Sequence, residues 1–277
     1  MISFENQNDM KDKVVIITGG SSGIGKALAN EFGRHGSKIL ITGRNAQDLN
    51  SAVAELQQNG ITICGITADV SKEEDNKNMA EEAVRRYGKI DVLINNAGIS
   101  MRALFEEVDL SVIKMVMDIN FYGTVYAIRS CLPEILKNKG SIVGISSIAG
   151  YRGLPGRSGY SASKFAVNGF LEALRTEMLK KEVHILTACP GFTASNIRHR
   201  SLVKDGSAQG ESPRNENTMM SAEKCARHIY LATVKKKKII ILTQQGKLTV
   251  FLNKWFPGWM DKIVYNAMAK EDNAPIR

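Results

Sequence analysis

The chain is poor in the residues that build covalent or metal-held scaffolds, with four cysteines and four histidines among 277 residues. Cys64, Cys131, Cys189 and Cys225 stand far apart, without CxxC spacing and without a histidine cluster beside them. That excludes a disulfide framework and a zinc site, and it fits a reducing, cytoplasmic setting. No window holds the roughly 18 uninterrupted apolar residues of a membrane-spanning helix. The opening MISFENQNDMKDK lacks the apolar core of a secretory signal. Aromatic residues make up only 6%, and they do not interleave with basic ones as in a nucleic-acid stacking platform. No nucleic-acid partner is expected, although the formal net charge is +9. The longest basic run, KKKK at 235–238, reads as a solvated loop ahead of a strand. There is also no internal repeat and no Pro/Ser-rich linker, so one domain is expected.

What the chain does have is alternation. Apolar, β-branched runs at 14–20, 38–43, 61–70, 90–98, 140–147, 183–191 and 238–242 read as strands. Helical spacing follows the first run, with Ala27, Leu28 and Phe32 on one side. It returns at 45–60, at 71–88 with Ser71 as the expected N-cap, at about 110–136, and at about 158–181. Pro133 is expected to kink or break its helix near the end. Near-continuous apolar strands alternating with helices predict an α/β fold: a doubly wound parallel sheet with helices on both faces. The domain is placed at 11–245, followed by an apolar helical extension at 246–277.

The turn after the first strand, TGGSSGIG at 18–25, suits a phosphate. Glycines at 19, 20, 23 and 25 let the backbone turn tightly and approach a ligand. Free N–H groups and the helix dipole then face a pyrophosphate, as in Rossmann-type folds. The spacing is G-x-x-x-G-x-G rather than G-x-G-x-x-G, and a plain tight turn is the alternative. At the end of the second strand, Gly43 stands where an NAD-binding acid would be, and Arg44 follows. A guanidinium there pairs with a 2′-phosphate, which favours NADP(H) over NAD(H); the plainer reading is a solvated loop arginine.

Five motifs, TGGSSGIG at 18–25, NNAG at 95–98, ISS at 145–147, YSASK at 160–164 and PGFT at 190–193, stand in one order and spacing. In these the chain resembles the short-chain dehydrogenase/reductase family over about residues 11–245. With its C-terminal extension it is similar to NADP(H)-preferring members such as the dehydrogenase/reductase 7B-like group. The resemblance implies that Tyr160 is the general acid/base and that Lys164 holds the nicotinamide ribose and favours the phenolate. It implies that Ser147 hydrogen-bonds the substrate oxygen and that Asn120 holds a water of the proton relay. Cofactor contacts are implied for Gly19, Ser21, Ser22, Gly23, Ile24 and Gly25 in the turn, and for Arg44, Asp69 and Val70, with Asp69 at the adenine. They are also implied for Asn96, Ala97 and Gly98, and for Pro190, Gly191 and Thr193, the last at the carboxamide. A homodimer or homotetramer is usual for the family.

A free phenol titrates near about 10, too high for a good base at neutral pH. A lysine four residues on shares its helix face, and its charge is expected to pull the phenol down. The activity expected is interconversion of a carbonyl and an alcohol by hydride transfer, on a small-molecule ketone or aldehyde. Two alternatives stay open: an idle dinucleotide-binding, redox-sensing or interaction module, and an NAD-dependent alcohol dehydrogenase on the same scaffold. A serine hydrolase is set aside, because no G-x-S-x-G elbow surrounds Ser147 and His35, His184, His199 and His228 lie elsewhere.

Two segments remain. The polar stretch 192–220 is too long for an ordinary connection and is expected to be a substrate lid. Its Arg198, His199, Arg200 and Lys204 are candidates to meet an anionic substrate, against the plainer reading of a solvated loop. In the extension, Phe251, Trp255, Trp259 and Ile263 recur every four residues, as do Leu252, Phe256, Met260, Val264 and Met268. Lys254, Lys262 and Lys270 lie off this stripe, and Pro257 and Gly258 interrupt it. Three readings are open: packing on its own domain or over the substrate cleft, a subunit interface, or peripheral membrane contact through 251–268.

Overall fold

The computed structural model describes residues 10–276; most of the opening stretch examined for a signal, and the last residue of the extension, lie outside them. Strands and helices alternate as β1 (Val14–Ile17), α1 (Gly23–Arg34), β2 (Lys38–Gly43), α2 (Ala46–Gln58), β3 (Ile63–Thr67) and α3 (Glu73–Tyr87). The chain continues with β4 (Val92–Asn95), α4 (Leu110–Met117), α5 (Gly123–Lys137), β5 (Ser141–Ile145), α6 (Ser158–Glu177) and β6 (His184–Cys189). It ends with α7 (Ala222–Val234), β7 (Ile239–Ile241), α8 (Gln244–Trp255) and α9 (Pro257–Met268).

The seven strands form one sheet in the order β3-β2-β1-β4-β5-β6-β7, every pair parallel. Successive side chains of a strand point to opposite faces, so each central strand feeds two cores. Val15, Ile17, Ile39, Ile41 and Ile94 enter one core with α1, α2 and α7. Ile16, Leu40, Leu93, Ile142 and Ile185 enter the other with α3, α5 and α6. Two-sided burial is why these strands read as continuous apolar runs. Each such side chain contributes roughly 1.5–3 kcal/mol when fully buried.

The local departures from expectation have physical causes. Lys72, not Ser71, is the N-cap residue of α3, and it makes no side-chain capping bond. The Ser71 hydroxyl donates instead to Asp69 Oδ1 at 2.7 Å, while Glu73, Glu74 and Asp75 answer the helix dipole. Pro133 neither breaks nor ends α5, which runs on to Lys137. The carbonyl it deprives of a donor belongs to Arg129, which is exposed, as is Pro133 itself, so water can take the place of the lost N–H. The interruption lies upstream, in a π-turn at Asp118–Tyr122 that separates α4 from α5. Helix α7 received no assignment from sequence; it buries Cys225, Ala226, Ile229 and Tyr230 and is capped by Ser221, which accepts from Lys224 N. All four cysteines are free and buried, and the 235–238 run is solvent-exposed ahead of β7.

The strand order reverses between β1 and β4, so the loops after these strands part at the carboxyl edge of the sheet. Such a switch point opens a crevice. At the opposite edge, Asp91 ties the same two strands together. Its carboxylate accepts from Val14 N, and from Lys13 Nζ and Lys89 Nζ, each at 2.9 Å. Burial pushes the Asp91 carboxyl up, but these donors more than offset it and hold it below the usual range. A depressed carboxyl stabilises the fold above its unfolded pKa and loses that contribution as pH falls through the folded one. Asp91→Ala is expected to lower unfolding free energy by about 1–3 kcal/mol near neutral pH. The gap to the parent chain should close in acid, as read from denaturant titrations at the two pH values.

Candidate active site

The crevice is a cleft of about 520 Å³. Its floor at one end is the glycine turn. Gly19 and Gly23 have φ of +65° and +52°, a region side chains rarely adopt. A Cβ on Gly25 would stand 2.1 Å from the Gly19 carbonyl oxygen. Asn96 braces the turn from below, its amide donating to the Thr18 and Gly19 carbonyls, both at 3.0 Å. Thr18 Oγ1 in turn accepts from the N–H groups of Asn96 and Ala97. Ser22 at the start of α1 makes no side-chain capping bond, so the first N–H groups of the helix keep no cap of their own.

Every residue expected to contact a cofactor lines this cleft: Gly19, Ser21, Ser22, Gly23, Ile24, Gly25, Arg44, Asp69, Val70, Asn96, Ala97, Gly98, Tyr160, Lys164, Pro190, Gly191 and Thr193. Arg44 is exposed at the rim, and among the described residues it makes no ion pair. Asp69, two residues past β3, is fixed by the N–H and hydroxyl of Ser71. Thr193 is buried, its hydroxyl on the Gly191 carbonyl at 3.2 Å.

Ser147, Tyr160 and Lys164 come together in the same cleft. Ser147 follows β5, and its Oγ accepts from Ala149 N at 3.1 Å. With the lone pair so used, the hydroxyl proton remains to point into the cleft. Tyr160 lies in the first turn of α6. Burial pushes its phenol up, and a hydrogen bond with Ser147 only partly offsets this. Lys164, one turn on, is 5% exposed and donates from Nζ to the Ile145 carbonyl at 2.9 Å. Burial pushes its ammonium down to about 8. The expected depression of the Tyr160 phenol by Lys164 is therefore not what the side chains show. Nζ sits 5.8 Å from the ring centroid, turned toward a strand-end carbonyl, and desolvation governs both groups.

Asn120 is the one expected catalytic residue that does not line the cleft. It sits in the π-turn with 1% exposure, its amide paired with both backbone groups of Ile99 at 2.8 and 2.9 Å. Its Nδ2 also reaches Ser163 Oγ, and its own carbonyl accepts from the Thr124 hydroxyl. A Cβ on Gly98 would lie 3.1 Å from Asn120 Oδ1 and 3.5 Å from Lys164 Nζ. Asn120 thus holds the 98–99 loop against the lysine.

The segment 192–220 and the C-terminal helices wall the remaining side. Of the four basic candidates, Arg198 and Arg200 line the cleft, whereas His199 and Lys204 do not. Arg198 is held internally, by Glu216 and by the Thr193 carbonyl at 2.8 Å, and Arg200 lies 3.4 Å from Asp48. Met260, Ile263, Val264, Ala267 and Met268 of α9 face the cleft, so the extension covers it, the first of the three readings.

Sequence reasoning missed the group that pins this wall. Glu271 is buried, and three arginines from distant segments surround it. Arg214 Nε approaches to 2.6 Å, Arg157 Nη2 to 2.9 Å and Arg102 Nη2 to 3.5 Å. Arg214 comes from the polar segment, where it also covers the Phe192 ring at 4.0 Å, and Arg157 precedes α6. No local pattern marks such a cluster, because its members are scattered along the chain.

The family model for short chain dehydrogenases matches residues 13–205. Dehydrogenase/reductase SDR family member 7B of Rattus norvegicus is 33% identical over 270 residues, covering 95% of this chain and 83% of that one. The dehydrogenase/reductase SDR family protein 7-like of Drosophila melanogaster is 31% identical over 274 residues, covering 97% and 84%. A short-chain dehydrogenase/reductase from Burkholderia phymatum, solved with NAD, superposes with a TM-score of 0.82 at 24% identity, over 91% of this chain and 96% of that one. An alcohol dehydrogenase from Thermococcus sibiricus, solved with 5-hydroxy-NADP, gives 0.73 at 23%, over 83% and 95%. These last two establish likeness of fold. With the motif residues gathered in one cleft and a relative 33% identical over 95% of the chain, the protein belongs to the short-chain dehydrogenase/reductase family and is an oxidoreductase of its 7B-like group.

Proposed function

We propose that the protein is an NADP(H)-dependent oxidoreductase that interconverts a ketone or aldehyde and the corresponding alcohol. One observation carries this reading: a single cleft holds the braced glycine turn, the unpaired Arg44, and Ser147 and Tyr160 with Lys164 behind them. The dinucleotide fits what is there. The turn offers bare backbone where a Cβ would clash, and Arg44 is free to take a 2′-phosphate. The Burkholderia and Thermococcus proteins bind NAD and 5-hydroxy-NADP on this same fold.

When bound, the cofactor supplies or accepts a hydride at the substrate carbon. Ser147 and Tyr160 donate hydrogen bonds to the substrate oxygen, where charge develops, and Tyr160 passes its proton there during reduction. A phenol pushed up by burial is protonated at neutral pH, which is the form that reduction consumes. Lys164 keeps a positive charge beside the reacting groups while it is protonated, below about 8. Asn120 acts at one remove, by fixing the 98–99 loop that borders the lysine.

Three outcomes test this. Tyr160→Phe is expected to lower kcat for carbonyl reduction by about 10²–10⁴-fold, far more than it weakens NADPH binding. NADPH binding without turnover on a broad carbonyl panel, in the parent chain, would instead support a binding module. Arg44→Asp should raise the KM for NADPH by roughly 10–100-fold, the worth of hydrogen bonds to a charged group, and spare that for NADH; an unchanged NADPH KM refutes the cofactor assignment. Third, the raised phenol predicts alcohol oxidation that climbs through the alkaline range while reduction stays level around neutral pH. Initial rates in both directions across pH decide it, and an oxidation limb already flat at neutral pH counts against it.

A further inference from the structure

Helices α8 and α9 have two apolar faces, and the domain uses only one. Met260, Val264 and Met268 are buried in a small cluster with Leu154 and Leu252. The other face is bare: Phe251 is 60% exposed, Trp255 62% and Trp259 57%, with Leu248 and Phe256 beside them. Both tryptophans of the chain are among these. Isolated exposed apolar residues are ordinary, but a contiguous aromatic patch marks an interaction surface.

Charge selects among the occupants. Residues 244–268 hold three lysines, Lys247, Lys254 and Lys262, and one carboxylate, Asp261. All three lysines are exposed, and Lys254 Nζ lies 5.7 Å from the Trp255 ring centroid. Asp261 is already paired with Arg152, at 2.5 Å. Pairing two copies through this face would bring together surfaces of the same sign, with no free carboxylate from either copy's α8 or α9 to match the lysines. An anionic lipid surface answers both features: acyl chains take the aromatic rings, headgroups take the ammonium groups, and tryptophan favours the boundary between them. Spanning is ruled out for these helices, since no helix of the described residues is long and apolar enough to cross a membrane.

We propose that the outward face of α8 and α9, formed by Phe251, Trp255, Phe256 and Trp259 and flanked by lysines, docks in the interface of an anionic membrane. The helices would lie in the membrane plane, with the cleft-lining face of α9 turned toward the protein. Docking is independent of the proposed reaction, and its test needs no turnover.

Because both tryptophans lie on this face, intrinsic tryptophan emission reports on it alone. The full chain is mixed with vesicles of phosphatidylcholine, or of phosphatidylcholine with about one quarter phosphatidylserine, at low and high salt. A blue-shifted emission and co-sedimentation with the serine-containing vesicles, at least about tenfold weaker without phosphatidylserine and weakened by salt, is expected. The triple variant Phe251→Ser, Trp255→Ser, Trp259→Ser should lose sedimentation yet keep the parent's circular dichroism and thermal melt. Lys247→Glu, Lys254→Glu, Lys262→Glu, which keeps the tryptophans, should lose both signals. Equal binding to both vesicle types overturns the assignment to an anionic surface. No binding to either overturns the proposal. So does light scattering that gives a dimer without vesicles, if the serine triple variant reduces it to monomer.

Discussion

A charged ammonium buried at the carboxyl edge of the sheet constrains everything around it. Lys164 is 5% exposed, and its hydrogen bond goes to the carbonyl of Ile145, the last residue of β5. A buried cation without a correctly placed oxygen is expensive. The end of β5, the start of α6 and the 98–99 loop must therefore stand in register with one another. The π-turn at Asp118–Tyr122 borders the same loop. One extra residue in the helical turn swings Asn120 inward, where its amide satisfies both backbone groups of Ile99. Widened turns of this kind are rare in helices and recur at functional sites. Even Gly98 belongs to this arrangement, since a side chain there would press on Asn120 and the lysine together.

The sequence made the frame legible because the frame repeats a simple rule. A parallel strand covered on both faces must be apolar at every position, and runs such as VVII and VLIN are. The glycine turn was legible for a related reason, since positive φ and close backbone contact leave few other residues possible. The π-turn was not, because one added residue barely disturbs helical periodicity between 110 and 136. Ser71 was misread because a serine before a helix has two local uses, and Asp69 claimed it first. Pro133 does not break its helix, because a lost hydrogen bond matters less where water can reach the freed carbonyl. For Ser71 and Pro133 the deciding fact was a neighbour two residues away or exposure, and composition alone carries neither.

The chemistry of the Tyr160 and Lys164 pair shows the same limit. Spacing placed both groups on one helix face, and both do line one cleft. Spacing could not give the dielectric around them. Burial acts on the phenol and the ammonium in opposite directions and disfavours the charged form of each. Burial therefore favours the neutral phenol over the phenolate.

The extension joins the two halves of the molecule's behaviour. The single stripe read from sequence splits in space, with Met260, Val264 and Met268 turned inward and Phe251, Trp255 and Trp259 turned out. What holds it in that orientation is polar. Asn253 donates to the Tyr151 carbonyl at 3.0 Å, Arg152 bridges to Asn253 and Asp261, and Glu271 gathers three arginines. Two of these anchor points, Arg152 and Arg157, lie in the 151–157 stretch that leads into α6. Removing one member of such a buried ionic group leaves the others unpaired, a loss of several kcal/mol by general experience with buried pairs. The tail and Tyr160 thus share anchor points in the stretch that leads into α6, with Arg157 three residues before the phenol.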